Sequence, residues 1–118
     1  MGVDVTYYTV VGIKVDETNE ELMEKISDEF WKYRDDNDDE DTFEGITVIY
    51  DGMCGKYAVV GKVLMEMDEY EGGFLDINLD DLPDTISKTK ESIRKWFSFG
   101  EELVENNNVT VMVFTHFS

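Results

Sequence analysis

Cysteine, histidine and proline each occur only once in this 118-residue sequence. A single cysteine, Cys54, allows no intramolecular disulfide, which fits a reducing cytoplasm. One cysteine and one histidine, His116, cannot build a typical zinc site. The first residues, MGVDVTYYTVV, have neither the basic nor the long apolar region of a signal peptide, and no apolar run approaches the length of a membrane span. The sequence therefore predicts a cytoplasmic protein.

Basic residues are also scarce. The ten lysines and arginines are outnumbered by 28 acids, which gives a formal net charge of −18. Such a charge disfavours direct binding to nucleic acid and to an anionic membrane surface. It favours basic partners, namely a nucleic-acid-binding protein, a cationic peptide or metal ions. With 42% hydrophobic residues, the chain can still fill the core of a single domain over 1–118.

Apolar periodicity predicts an alternating series of strands and helices. The predicted elements are a strand at 3–15, a helix at 18–34 that begins with a Thr18–Glu21 capping box, an acidic loop at 35–45, a hairpin of 46–50 and 56–67 around DGMCG, a short extended segment at 74–79, a helix that begins near Pro83, and a strand at 109–117. Gly100 is expected to bend or end the second helix.

Two similar stretches, YYTVVG at 7–12 and KYAVVG at 56–61, fall on the first strand of each half of the chain. With halves at about 1–50 and 55–118, the order of elements predicts an α+β, ferredoxin-like βαββαβ fold with two helices on one face of a four-stranded antiparallel sheet. The two similar strands would lie side by side at its centre. Duplication, a shared packing demand and chance all remain open as causes. Glycine inside a strand often marks a bulge or a close backbone approach, and a bend where the helices cross the sheet would suit both Gly12 and Gly61. A ligand site at these glycines is the alternative.

The acids form groups on the first helix, in the acidic loop and in the stretch 66–84, and rows of carboxylates can imitate a phosphate backbone. The residues that we predict to contact a partner are Asp35, Asp36, Asp38, Asp39, Glu40, Asp41, Glu44, Glu66, Asp68, Glu69, Glu71 and Tyr70. Tyr33, Phe43 and Tyr70 are predicted to be exposed aromatic anchors among these acids.

Other chemistries have less support in the sequence. The acidic loop fails the EF-hand pattern, because position six is Glu40 or Asp41 rather than glycine, so only weak divalent binding remains open. Tyr8 and Tyr57 are placed as in base-stacking RNA-recognition sheets, but the basic-aromatic signature is missing. Cys54 and His116 would form a nucleophilic pair only if the fold joins them. No catalytic residue, metal ligand or cofactor is therefore predicted.

The run YDGMCGKYAVVGKVL, followed by MDEYEGG, resembles small uncharacterised acidic proteins of tailed bacteriophages. This resemblance implies a host-cytoplasm setting and a role in host takeover or counter-defence, of the DNA-mimic type that blocks restriction enzymes, CRISPR complexes (as anti-CRISPR proteins do) or nucleoid proteins. We therefore expect a non-enzymatic inhibitor of a basic, nucleic-acid-handling host protein. The alternatives are an immunity or antitoxin-like protein, a phage structural or assembly subunit, with a possible homodimer, and a small enzyme that uses Cys54.

Overall fold

The computed structural model describes residues 4–118 and contains four strands and three α-helices in that range. The elements in chain order are β1 (Val5–Asp16), a 3₁₀ turn (Glu17–Asn19), α1 (Glu20–Asp36), β2 (Ile46–Tyr50), β3 (Tyr57–Asp68), α2 (Leu82–Trp96), α3 (Gly100–Asn106) and β4 (Thr110–Phe117). The first predicted strand began at Val3, which lies outside the described residues.

The four strands form one antiparallel sheet in the order β2-β3-β1-β4. The α+β class, the antiparallel sheet and the central position of β1 and β3 are therefore confirmed. The helices pack on one face, which we call the helical face. Its core contains Ile13 and Val15 of β1, Ile26 of α1, Ile93 of α2 and Leu103 of α3, all nearly inaccessible to solvent.

The structure contains three α-helices within the described residues rather than the two predicted, because the second one is interrupted after Trp96. A Cβ atom at Gly100 would lie 2.7 Å from the Cα of Arg94 and would overlap the carbonyl oxygen of Ile93. Glycine therefore allows α3 to begin directly against the last turn of α2. The predicted helix start is confirmed, since Pro83 occupies the first turn of α2.

One local prediction is wrong. Asn19, rather than Thr18, caps α1, because its side chain accepts a hydrogen bond from the Leu22 N–H at 3.2 Å while Thr18 donates its own N–H to Asp16. The segment 74–79 adds no strand to the sheet, and Phe74 is 86% exposed. The segment follows Gly72, Gly73 and several acids, which are depleted in strands, and it lies outside the four-stranded sheet.

The two central strands bend sharply at one place. Tyr57 lies opposite Asp16, eight residues beyond Tyr8 along β1. In a straight strand those positions would be roughly 26 Å apart. The rings of Tyr8 and Tyr57 nevertheless lie 5.5 and 5.9 Å from the same ring, that of Phe114. The face of the sheet opposite the helices is therefore concave.

Gly12 and Gly61 lie directly opposite each other at this bend. A Cβ on Gly12 would lie 2.7 Å from the Cα of Gly61 and would overlap the carbonyl oxygen of Val60. The expected close backbone approach is therefore confirmed, and we call this pair the glycine crease. The register also shifts between Thr9 and Val10, and such an irregularity increases local twist.

Candidate functional site

The acidic loop begins in the last turn of α1, where Asp35 and Asp36 are both exposed. The chain then reverses through two consecutive residues with positive φ, 54° at Asp38 and 64° at Asp39. Aspartate tolerates this left-handed conformation better than most residues do. The aspartates of the loop therefore favour the turn conformation in addition to supplying negative charge.

Aromatic residues hold the rest of the acidic loop in place. The Tyr33 hydroxyl donates to the Thr42 carbonyl at 2.9 Å, and the backbones of Phe43 and Ile46 exchange hydrogen bonds of 2.8 and 2.9 Å. The Phe43 ring stacks on Trp96, with centroids 5.8 Å apart and planes 18° apart. The prediction that Tyr33 and Phe43 are exposed anchors is wrong, because both are half-buried in this packing.

Glu44 differs from the other acids of the loop. Its carboxylate accepts a hydrogen bond from the Ser92 hydroxyl at 3.1 Å and lies 3.8 Å from the ammonium group of Lys95. It lines a cavity of about 340 Å³ together with Lys62 and Lys88. Glu44 is thus engaged with α2, beside a cavity whose lining also includes Asp84 and Glu91.

The second acidic segment lies at the end of β3 and in the turn that follows. Glu66 and Asp68 belong to β3, where the Glu66 carboxylate accepts a hydrogen bond from the Tyr8 hydroxyl at 3.4 Å. Glu69 and Glu71 are exposed, and Tyr70 is 93% exposed. Tyr70 is therefore the one predicted anchor whose ring is free to contact a partner.

All eleven predicted acids are exposed, and within residues 4–118 ten of them form no ion pair; Glu44 is the exception. Over the same range, no hydrogen bond links the acidic loop to the segment 66–71. Each of the two segments is thus held by its own local contacts.

The concave face holds a polar cluster that the sequence patterns did not reveal. The Tyr57 hydroxyl and the Nδ1 atom of His116 lie 2.6 Å apart, and burial lowers the pKa of His116 from its ordinary value. Burial, followed by the nearby charge of Asp51, raises the pKa of Tyr57. The only available sequence signal was that both repeated tyrosines, Tyr8 and Tyr57, share the face of the paired glycines.

Asp51 organises the hairpin loop between β2 and β3. Its buried carboxylate accepts hydrogen bonds from the backbone N–H groups of Met53, Cys54 and Lys56 at 3.3, 3.2 and 3.1 Å. Burial raises the pKa of Asp51, but these three donors outweigh it, so the pKa lies below its ordinary value. The loop is thus built around one ionised side chain.

The structure does not arrange Cys54, Tyr8 or Tyr57 for the nucleophilic or base-stacking roles considered above. Cys54 is exposed, and in the described part of the chain no hydrogen bond joins its thiol to His116, whose Nδ1 faces Tyr57. Tyr8 and Tyr57, considered as base-stacking residues, pack against Phe114 instead. From residue 4 onward, no group of three or more histidine, cysteine, aspartate or glutamate side chains is placed to hold a metal ion.

The comparisons with protein-family models, with curated proteins and with solved structures find no match to this chain. In the range 4–118, none of the helices combines the length and the apolar character needed to cross a lipid bilayer.

Proposed function

We propose that this chain is a non-enzymatic, acidic binding protein that inhibits a basic, nucleic-acid-handling host protein by imitating the charge of nucleic acid. The target would be of the restriction, CRISPR, nucleoid or transcription type, and the setting would be the cytoplasm of the host cell. The observation that carries this proposal is the set of ten exposed carboxylates without an ion-pair partner in the described residues.

The tethering of the acidic loop supports the same reading. A mobile acidic loop would lose conformational freedom on binding, and that loss opposes affinity. Here the contacts of Tyr33 with Thr42 and of Phe43 with Trp96 hold the loop before any partner arrives. A basic groove that normally binds phosphates would meet carboxylates whose backbone is already positioned.

Charge complementarity also determines how such binding would depend on salt. Lysines and arginines of the partner would be attracted over a distance, so association would be fast and would weaken as salt screens the charges. The partner would bind nucleic acid and this protein through the same groups. Binding of the two would therefore be mutually exclusive.

The test is capture of partners from a nuclease-treated bacterial lysate, followed by measurement of the affinity for each purified partner. A variant with Asp38→Asn, Asp39→Asn, Glu40→Gln and Asp41→Asn should lower that affinity by about tenfold or more at low salt, because four charges are lost from one surface. Its circular dichroism spectrum should be unchanged, since these side chains are exposed.

A matched control neutralises four exposed acids elsewhere: Glu17, Glu20, Glu24 and Asp28. It has the same net charge as the test variant and should bind nearly as well as the parent chain. Equal loss in both variants would mean that total charge, rather than the acidic loop, determines binding. A partner that duplex DNA does not displace would favour the immunity or antitoxin-like alternative.

We also propose the finer fold assignment, a ferredoxin-like βαββαβ layout to which α3 and the glycine crease are additions. It is supported by β1 and β3 at the centre of the sheet, by β2 and β4 at its edges, and by helices on one face.

A further inference from the structure

The strand β4, Thr110–Phe117, forms one edge of the sheet, and its outer side pairs with no strand anywhere in residues 4–118. It contains no aspartate, glutamate, lysine or arginine, although the chain has 28 acids. Natural edge strands are usually protected from pairing by charges, proline, bulges or covering elements. The pairing of β4 with β1 is continuous and has no register shift. This edge strand therefore lacks the charged residues, the proline and the bulge that usually prevent pairing with another strand.

The register identifies which backbone groups of β4 are free. Asp4 and Ser118 exchange two backbone hydrogen bonds, of 2.8 and 2.9 Å, on the side of β1. Because backbone groups of successive residues point to opposite sides of a strand, the even-numbered residues of β4 also face β1. The N–H and C=O groups of Val113, Thr115 and Phe117 therefore point away from the sheet.

The side chains of the same three residues lie on the helical face, where the helices do not cover them. No residue of β4 belongs to the buried core beneath α1, α2 and α3. Val113 is 75% exposed and Phe117 is 50% exposed. Tyr7, opposite Thr115 on β1, is 40% exposed and extends this apolar surface. An unpaired backbone edge and an uncovered apolar surface thus coincide.

The charge distribution favours a second copy of this chain as the occupant. A basic partner would be attracted to the acidic surfaces, whereas β4 has no charge of either sign to offer it. Two copies of β4 can approach without setting a carboxylate of one strand against a carboxylate of the other. With an odd-numbered residue at the two-fold axis, all outward backbone groups meet outward groups.

We propose that two copies pair antiparallel through β4, with Thr115 at the two-fold axis, to form one continuous eight-stranded sheet. Val113 then lies opposite the partner's Phe117, and Thr115 opposite the partner's Thr115. Aromatic with β-branched pairs and threonine pairs are among the favourable cross-strand combinations. This inference does not depend on the identity or existence of a basic target.

Like charge on the rest of the two molecules opposes this dimer over longer distances. Salt screens that repulsion, so the dimer should become tighter as salt rises, which is the opposite of the salt response proposed for a basic partner. Failure of one proposal is therefore distinguishable from failure of the other.

The first experiment is sedimentation equilibrium of the purified chain at several concentrations, at low and at high salt. The expected result is a monomer–dimer equilibrium whose dissociation constant falls as salt rises. Val113→Lys should raise that constant by about tenfold or more, because the change occurs twice at a two-fold interface. Thr110→Lys adds the same charge to the same strand outside the paired residues and should leave the dimer intact.

A second experiment tests the register. In a Cys54→Ser background, Thr115→Cys should give an oxidised, covalently linked dimer, whereas Thr110→Cys should stay monomeric on a non-reducing gel. A chain that remains monomeric at all concentrations and salts would overturn the proposal. So would a Val113→Lys protein that dimerises as well as the parent, or equal cross-linking at positions 110 and 115.

Discussion

At the scale of single residues, the glycine crease determines the shape of the sheet. Gly12 and Gly61 face each other so closely that a Cβ on Gly12 would overlap the carbonyl oxygen of Val60. The clash is with backbone, which cannot rotate away as a flexible side chain can. The rings of Tyr8 and Tyr57 reach the same Phe114 ring because the strands bend here. The crease thus connects two small residues to the whole concave face.

Gly12→Ala should lower the free energy of unfolding by about 1–3 kcal/mol, the range seen when a tightly packed site is overfilled. Urea denaturation followed by circular dichroism measures this change. Gly72→Ala is the matched control, since a Cβ there would meet no atom within 4 Å. It should change the stability by less than about 0.5 kcal/mol. Equal stability of the two variants would contradict the role of the crease.

His116 should make stability depend on pH within a defined window. Burial lowers its pKa in the folded state below the ordinary value, so the unfolded chain binds the proton more readily. The contribution of His116 to the free energy of unfolding is therefore fully present above the ordinary histidine pKa, about 6.5. That contribution is lost as pH falls from there through the folded-state pKa. The Tyr57 hydroxyl, 2.6 Å from Nδ1, is in contact with the group that would be protonated.

The measurement is the urea midpoint between pH 7.5 and pH 5.5 for the parent chain and for His116→Asn. The parent should lose stability relative to the variant as pH falls, while other titrating groups affect both proteins alike. Parallel pH profiles would show that His116 titrates equally in the folded and unfolded states.

At the scale of elements, the acidic loop depends on α2 as well as on its own sequence. Phe43 stacks on Trp96, the last residue of α2, and Tyr33 packs edge-on against the same ring at 5.3 Å. The loop backbone is further tied by the Thr47 hydroxyl, which donates to the Asp41 carbonyl at 2.9 Å. A helix distant in sequence thus fixes how the carboxylates are presented.

Phe43→Ala should destabilise the protein by about 1–3 kcal/mol, less than a fully buried phenylalanine would, because this ring is half-buried. It should also raise the rate of proteolysis within 37–42 and weaken partner binding, although no charge changes. Phe74→Ala provides the control, since that ring is 86% exposed and should leave all three quantities nearly unchanged. Normal binding by Phe43→Ala would mean that charge alone, without a fixed loop, is sufficient.

At the scale of the whole molecule, local sequence patterns predicted the helices and strands better than they predicted contacts between residues that are distant in sequence. Alternation placed β1 and β3, and Pro83 marked the start of α2. These features depend on neighbouring residues, so periodicity and backbone preferences are sufficient to find them. The cap at Asn19 was displaced by one residue because Asp16 already engages Thr18, a competition between two local hydrogen bonds.

The arrangement of the candidate site was only partly accessible from sequence. The exposure of the acids followed from their number and spacing. The packing of Tyr33 and Phe43 on Trp96 did not, because those residues are more than fifty positions apart and no pattern joins them. The contact between Tyr57 and His116 likewise depends on the bend at the glycine crease, which is a property of two strands together. Whether the ten free acids bind a partner stays a prediction.

The central position of β1 has a consequence for the order in which the protein is made. Of the four strands, β1 leaves the ribosome first, yet one of its two partners, β4, is synthesised last. Until Phe114 and His116 have emerged, one long side of β1 and the rings of Tyr8 and Tyr57 lack their native cover. Nascent chains that stop before residue 110 will therefore expose the unpaired, aggregation-prone side of β1. We expect a chaperone to bind these chains.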